Sequence, residues 1–161
     1  MRSFRSDNNA GLVPEALAAL TDANEGHAVG YGDDAWTAKA HDAFRAVFGD
    51  EIAMFLVATG TAANVLSVAA LTEPWHQVVC HRHSHWNDDE STAPERTTHC
   101  RTAAIDAHMG KLTPALLASA FANSRGDVHQ PQPGVLTVSN ITEFGGVYGP
   151  DEMKALCTAA H

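Results

Sequence analysis

Short apolar runs of strand length alternate along this chain with longer runs of helical spacing. That order predicts an α/β fold, a mostly parallel sheet with helices on both faces. Three observations carry the expectation. Strand-like runs at Ile52 to Ala58, Gln77 to His81 and Val135 to Val138 are separated by helical or polar stretches. Proline opens three of the helical stretches, at Pro14, Pro114 and Pro150, where its missing N–H costs nothing. Ala58-Thr59-Gly60-Thr61-Ala62 joins the first strand-like run directly to a helical one, with glycine at the junction.

Taken in order, Pro14 to Ala23 is a short helix in which Leu17 and Leu20 stand three apart. Gly26 to Asp34 is a loop with three glycines, and Asp33 or Asp34 can cap the next helix. In that helix Trp36, Ala40, Phe44 and Phe48 repeat at four-residue spacing, a stripe suited to core or subunit contact, and Gly49 ends it. Strand Ile52 to Ala58, helix Thr61 to Leu71 and strand Gln77 to His81 follow, then a polar loop through Arg96 whose acidic run Asp88-Asp89-Glu90 reads as solvated. A further strand is expected around Thr102 to Ile105. Thr113-Pro114 supplies an N-cap and first-turn proline for a helix over Leu112 to Ala122. Val135 to Val138 is a strand, and Pro150-Asp151-Glu152 opens a last helix. No repeat, low-complexity tract or linker interrupts the chain, so residues 1–161 read as one domain.

Composition narrows the function classes. With 161 residues, 45% apolar and 18% charged, the chain can bury roughly two-thirds of its unfolded surface around one core. The 10 basic and 19 acidic residues give a net charge of −9, which argues against a general nucleic-acid surface. The longest apolar run, Ala62 to Leu71, contains Asn64 and Ser67, so no membrane span is expected. Met1 to Asp7 has no apolar segment behind its charges, and the three cysteines (Cys80, Cys100, Cys157) are unpatterned. Reduced thiols in a cytoplasmic protein are therefore expected.

The Thr59-Gly60-Thr61 turn has the makings of an anion site. A helix start leaves backbone N–H groups unpaired and carries partial positive charge, and glycine lets a phosphate approach the backbone. His85, just beyond the strand-like run at Gln77 to His81, could place a planar side chain over a flat, phosphorylated cofactor. The plainer reading makes the threonines turn and cap residues and His85 a hydrogen-bonded surface histidine.

Ser6-Asp7-Asn8, Gly30-Tyr31-Gly32-Asp33-Asp34, Thr59-Gly60-Thr61-Ala62-Ala63-Asn64, and His85 followed five residues later by Glu90 together resemble the threonine aldolases. These are pyridoxal-phosphate enzymes of fold type I, the aspartate aminotransferase-like class. Asp89 to Glu95, Gly110-Lys111-Leu112-Thr113-Pro114 and Gly126-Asp127-Val128-His129 are similar to the low-specificity and phenylserine-aldolase branch. The resemblance runs over essentially the whole chain. It implies an N-terminal arm and part of a cofactor-binding large domain, a homo-oligomer, and cleavage of a β-hydroxy-α-amino acid to glycine and an aldehyde. It implies that Gly60 and Thr61 bind the phosphate of pyridoxal 5′-phosphate. It further implies that His85 stacks on the ring and moves a proton at the substrate hydroxyl. Ser6 would help hold the substrate carboxylate and Tyr31 would line the site. Thr142-Glu143 stands where other members have Thr-His.

The family's chemistry also needs a Schiff-base lysine and an aspartate at the pyridine nitrogen. Lys39, Lys111 and Lys154 match no such lysine. The expectation is a truncated, N-terminal portion that is inactive alone and binds the cofactor weakly. Two rivals stand beside it. His81-x-His83-x-His85 places three imidazoles at alternate positions, one face of a strand if the strand continues, and could serve a zinc-dependent hydrolase. The local acids lack metalloprotein spacing, so no metal site is expected there. The other rival is a non-catalytic folding or dimerisation piece.

Overall fold

The structure, a computed structural model, describes residues 9–122 and 124–161, and two compact units divide between Leu56 and Val57. Ser6 lies outside the described residues.

Among its described residues the first unit holds two α-helices, α1 (Pro14–Ala23) and α2 (Ala35–Phe48), both where periodicity and caps place them. Asp34 caps α2: its Oδ1 accepts from the N–H groups of Trp36 (2.9 Å) and Thr37 (2.8 Å), and its Oδ2 accepts from the Thr37 hydroxyl. Gly49 closes the helix at φ 91°, a backbone angle that side chains disfavour. Phe44 and Phe48 stack with ring centroids 5.8 Å apart, and Lys39 Nζ sits 4.5 Å from the Trp36 ring centre. Neither helix has a buried residue, so the aromatic stripe forms no core among the described residues of this unit.

Residues 52–57 are not a strand. Strand pairing requires a neighbour's N–H and C=O groups as well as apolar side chains, and this run joins no ladder. Phe55 and Leu56 are exposed.

The second unit is built on a parallel three-stranded sheet in the order β2 (Arg101–Ile105), β1 (His76–His81), β3 (Gln132–Leu136). Among the described residues five α-helices and a short 3-10 helix (His108–Gly110) complete it: α3 (Gly60–Leu71), α4 (His85–Asp88), α5 (Ala93–Thr98), α6 (Pro114–Phe121) and α7 (Pro150–Ala160). The helix pair α4 and α5 occupies what the sequence suggested was loop, because four- and six-residue helices are too short to show periodicity. Alternation along β1 divides the core in two. Val78 and Cys80 pack with Val65, Val68, Trp86 and Cys100 on the α3 side. Val79 packs with Leu112, Leu117, Tyr148 and Leu156 on the α6–α7 side. Register slips at Gln77/Val78, opposite Gly134, where a Cβ would come within 2.6 Å of the His76 ring. Cys80, Cys100 and Cys157 are free, and among the described residues no helix is long and apolar enough to cross a membrane.

Leu156 is 1% exposed in the α6–α7 core. Leu156→Ala is expected to cost about 2–5 kcal/mol in denaturant unfolding through lost burial and a cavity. The Thr37 and Trp36 hydrogen bonds hold the Asp34 carboxyl below its ordinary value of 3.8. A depressed folded value means the cap contributes above the ordinary value and is lost as pH falls through the depressed one. The protection of the Trp36 and Thr37 amides, taken relative to their intrinsic exchange rates, should fall in that window and be constant above it.

Candidate active site

Parallel strands point their carboxyl ends one way, and the loops leaving those ends form the usual ligand crevice of an α/β sheet. Here β1 delivers Arg82 to Ser84 and the start of α4, while β3 delivers Thr137 to Glu143. Between them lies a cleft of about 420 Å3 lined by Asn64, Ser84, His85, Thr137, Ser139 and Glu143 among others.

Helix α3 begins at Gly60 behind Thr59, whose Oγ1 accepts from the Ala62 N–H (3.1 Å) and whose carbonyl accepts from Ala63 (3.1 Å). Among the described residues no acceptor takes the N–H of Gly60 or Thr61. A Cβ on Gly60 would meet nothing within 4 Å, so the approach to those N–H groups is open. The turn is thus exposed and half-capped, with its first two donors available.

His85 opens α4 and is held at two points. Its backbone N–H donates to Glu143 Oε1 (2.6 Å), which also accepts from the Ser139 hydroxyl (2.8 Å). Its ring Nδ1 lies 2.9 Å from Glu90 Oε1, which accepts from Asn64 Nδ2 at 2.7 Å. The His85 side chain is 52% exposed and that of Glu90 fully buried. Next door, Trp86 is buried and its indole N–H donates to Thr102 Oγ1 (3.3 Å), anchoring α4 to β2.

The acidic run is therefore not uniformly solvated: Glu90 turns inward, and its Oε2 is buried without a hydrogen-bond partner, as is Ser84 Oγ. Burial pushes the Glu90 carboxyl up, but the Thr61 hydroxyl, the Asn64 amide and the His85 ring outweigh it and hold the group below its usual range. Sequence reasoning named His85, Gly60 and Thr61. It missed the supporting parts played by Asn64, Glu90, Ser139 and Glu143. The five-residue step from His85 to Glu90 was the one legible signal.

The three alternating histidines do separate jobs. Strand β1 ends at His81, so the alternation of faces stops there. His81 is buried, its Nδ1 accepting from the His83 N–H (3.1 Å) and its Nε2 3.2 Å from the Ala107 carbonyl. His83 Nδ1 pairs with Asp88 at 2.9 Å, and Phe144 stands edge-on to the rings of both. Among the described residues no three His, Cys, Asp or Glu side chains gather as a metal site. Lys111 is engaged too, donating to the Val147 carbonyl (2.8 Å) and Glu152 Oε1 (2.6 Å). Tyr31 lies in the first unit, fully exposed at φ 67°.

Residues 3–161 match the family model described as beta-eliminating lyase. Two curated relatives are low specificity L-threonine aldolases, from Pseudomonas aeruginosa strain PAO1 and Pseudomonas sp. strain NCIMB 10558. They are 44% and 43% identical over 156 residues, which is 96% of this chain and 45% of each relative. A solved structure of Leishmania major threonine aldolase superposes with a TM-score of 0.85 at 26% identity, covering 94% of this chain and 44% of that one. The chain thus spans under half the length of the relatives it matches.

Zinc added in excess and then dialysed away should leave no stoichiometric metal on the protein by native mass spectrometry. Bound zinc whose removal by a chelator unfolds the protein would contradict the division of labour among His81, His83 and His85.

Proposed function

This chain belongs to the beta-eliminating lyase family, and from that premise we propose that it supplies phosphate- and ring-holding residues of a pyridoxal 5′-phosphate site. The protein's reaction would be the cleavage of a β-hydroxy-α-amino acid, threonine or a phenylserine-like substrate, to glycine and an aldehyde. The observation that carries this is His85, half-exposed and braced by two carboxylates, one of which, Glu90, also holds Asn64 of α3. The residues fit the cofactor's chemistry. Free helix-start donors suit a phosphate, a half-exposed imidazole suits a flat ring, and buried unpartnered Ser84 Oγ adds polar capacity at the cleft.

When bound, that cofactor supplies a conjugated electron sink for the carbon–carbon cleavage. The protein's groups do the rest. The N–H groups of Gly60 and Thr61 bind the phosphate and set its depth. His85 covers one face of the ring, and its imidazole accepts the proton of the substrate β-hydroxyl, a role typically worth about 10²–10⁴-fold in rate. Ser6 holds the substrate carboxylate. Tyr31, presented on an exposed loop, serves the site of a second copy in a homo-oligomer. Residues 1–161 are read as an N-terminal arm and part of the cofactor-binding large domain. Among the described residues no lysine lines the cleft, so the roles proposed here concern the phosphate, the ring face and proton transfer. A cytoplasmic setting accords with the free cysteines.

Titration of this chain with pyridoxal 5′-phosphate, followed in the visible spectrum, tests the cofactor-holding roles, and glycine release from L-threonine tests the reaction in protein that carries this segment together with a Schiff-base lysine. Gly60→Pro removes one phosphate donor at the first helical position, where proline is tolerated, and should weaken cofactor binding with folding intact. His85→Ala should lower glycine release by about 10²–10⁴-fold. A protein that binds no cofactor, or variants that match the parent, would favour the non-catalytic alternative.

A further inference from the structure

Two histidines of the second unit meet opposite partners, and the contrast is informative. His81 Nδ1 receives the His83 backbone N–H, which can only donate, so the His81 proton sits on Nε2, facing the Ala107 carbonyl. His85 Nδ1 faces Glu90 Oε1 at 2.9 Å instead. That oxygen belongs to a fully buried carboxylate which also accepts from Asn64 Nδ2. An ionised carboxylate only accepts, so the ring nitrogen facing it must carry the hydrogen. Among the described residues Nε2 of His85 has no partner.

We infer that Glu90 is a positioning residue that holds His85 in the tautomer with its proton on Nδ1. This leaves Nε2 as the ring's free, proton-accepting nitrogen. The inference rests on the proton-transfer role proposed above for its consequence, but not for its geometry. Glu90 touches neither substrate nor cofactor. It acts through the imidazole, as an outer carboxylate orients a ligating or catalytic histidine elsewhere. Asn64 lies on the first turns of α3, so the same carboxylate ties the helix whose start binds phosphate to the ring that covers the cofactor. A shift of one would be felt at the other.

Ring-nitrogen chemical shifts of protein labelled with 15N-histidine report the tautomer directly. They are recorded near pH 8, about 1.5 units above the unperturbed imidazole value. Signals are assigned by their loss in His81→Gln and His85→Gln. In the parent protein His85 should show a protonated Nδ1 and bare Nε2, with His81 showing the reverse in the same spectrum. In Glu90→Leu the His85 pattern should shift to protonated Nε2 or to a mixture, while His81 stays unchanged. Glu90→Met, with a more adaptable side chain, gives the same reading should the leucine variant fail to fold. A parent His85 protonated on Nε2 overturns the inference, as does a pattern indifferent to loss of the carboxylate. Cofactor-loaded protein that carries this segment together with a Schiff-base lysine provides the second readout. Glu90→Leu should lower kcat for glycine release by about 10²-fold with KM little changed. The expected tautomers with kcat unchanged would overturn the proton-transfer role of His85 while upholding its tautomer. The two failures are therefore separable.

Discussion

Strand β1 is paired on both edges and covered on both faces, and the second unit hangs from that constraint. A central parallel strand has no freedom to slip, because a one-residue shift would carry Val78 and Cys80 to the α6–α7 side and Val79 to the α3 side. Its carboxyl end is thereby fixed in register with β2 and β3. The ring-holding part of the site leaves from that end: His81 closes the strand, Ser84 precedes α4, and His85 begins it. Buried Trp86, tied to Thr102 on β2, keeps the four-residue helix from swinging away. A helix so short could not hold its own position by backbone bonding.

On this scaffold one charge is managed with care. Burying a carboxylate costs several kcal/mol unless donors replace its water. Glu90 offsets that cost with the Asn64 amide and the His85 ring, both on Oε1. Its second oxygen is left without a partner. The balance still favours the ionised form, so the direction of the shift shows the donors outweighing burial. A buried negative charge close to the open start of α3 also suits the positive end of the helix dipole. Exposed pairs such as Arg82 with Asp106 carry no comparable consequence, since solvent screens them.

How much of this the amino-acid sequence revealed follows from the range of each signal. Asp34 before α2, Thr113-Pro114 before α6 and Thr59-Gly60 before α3 act within four residues, and all three helix starts fall where those residues place them. Strands depend on distant partners. Gln77 to His81 found them, whereas the more apolar residues 52–57 did not. The alternating histidines show a related limit, since alternation implies a shared face only while the strand lasts and β1 stops at His81. Glu90 was legible as part of a motif and illegible as a buried group. A run of three acids reads as solvent-facing, and only the packing of α3 against α5 shows that the last of them turns inward.

The two carboxylates around His85 explain why a half-exposed side chain can be a fixed one. A hydrogen bond to a charged group is worth about 1.5–3 kcal/mol, and ordering a side chain costs at most about 2 kcal/mol. One such bond to buried Glu90, little screened by solvent, is enough to fix the ring. The second carboxylate, Glu143, then acts on the backbone rather than the ring, setting where α4 begins instead of how the imidazole turns. Orientation and placement are thus controlled by different residues from different segments. Glu143 follows β3 and Glu90 follows α4, so the placement of α4, and with it of the imidazole, depends on β3 docking beside β1. Assembly of the sheet is the condition for assembly of the site, and a ring already aligned before anything binds has less entropy left to lose when a flat ligand stacks on it.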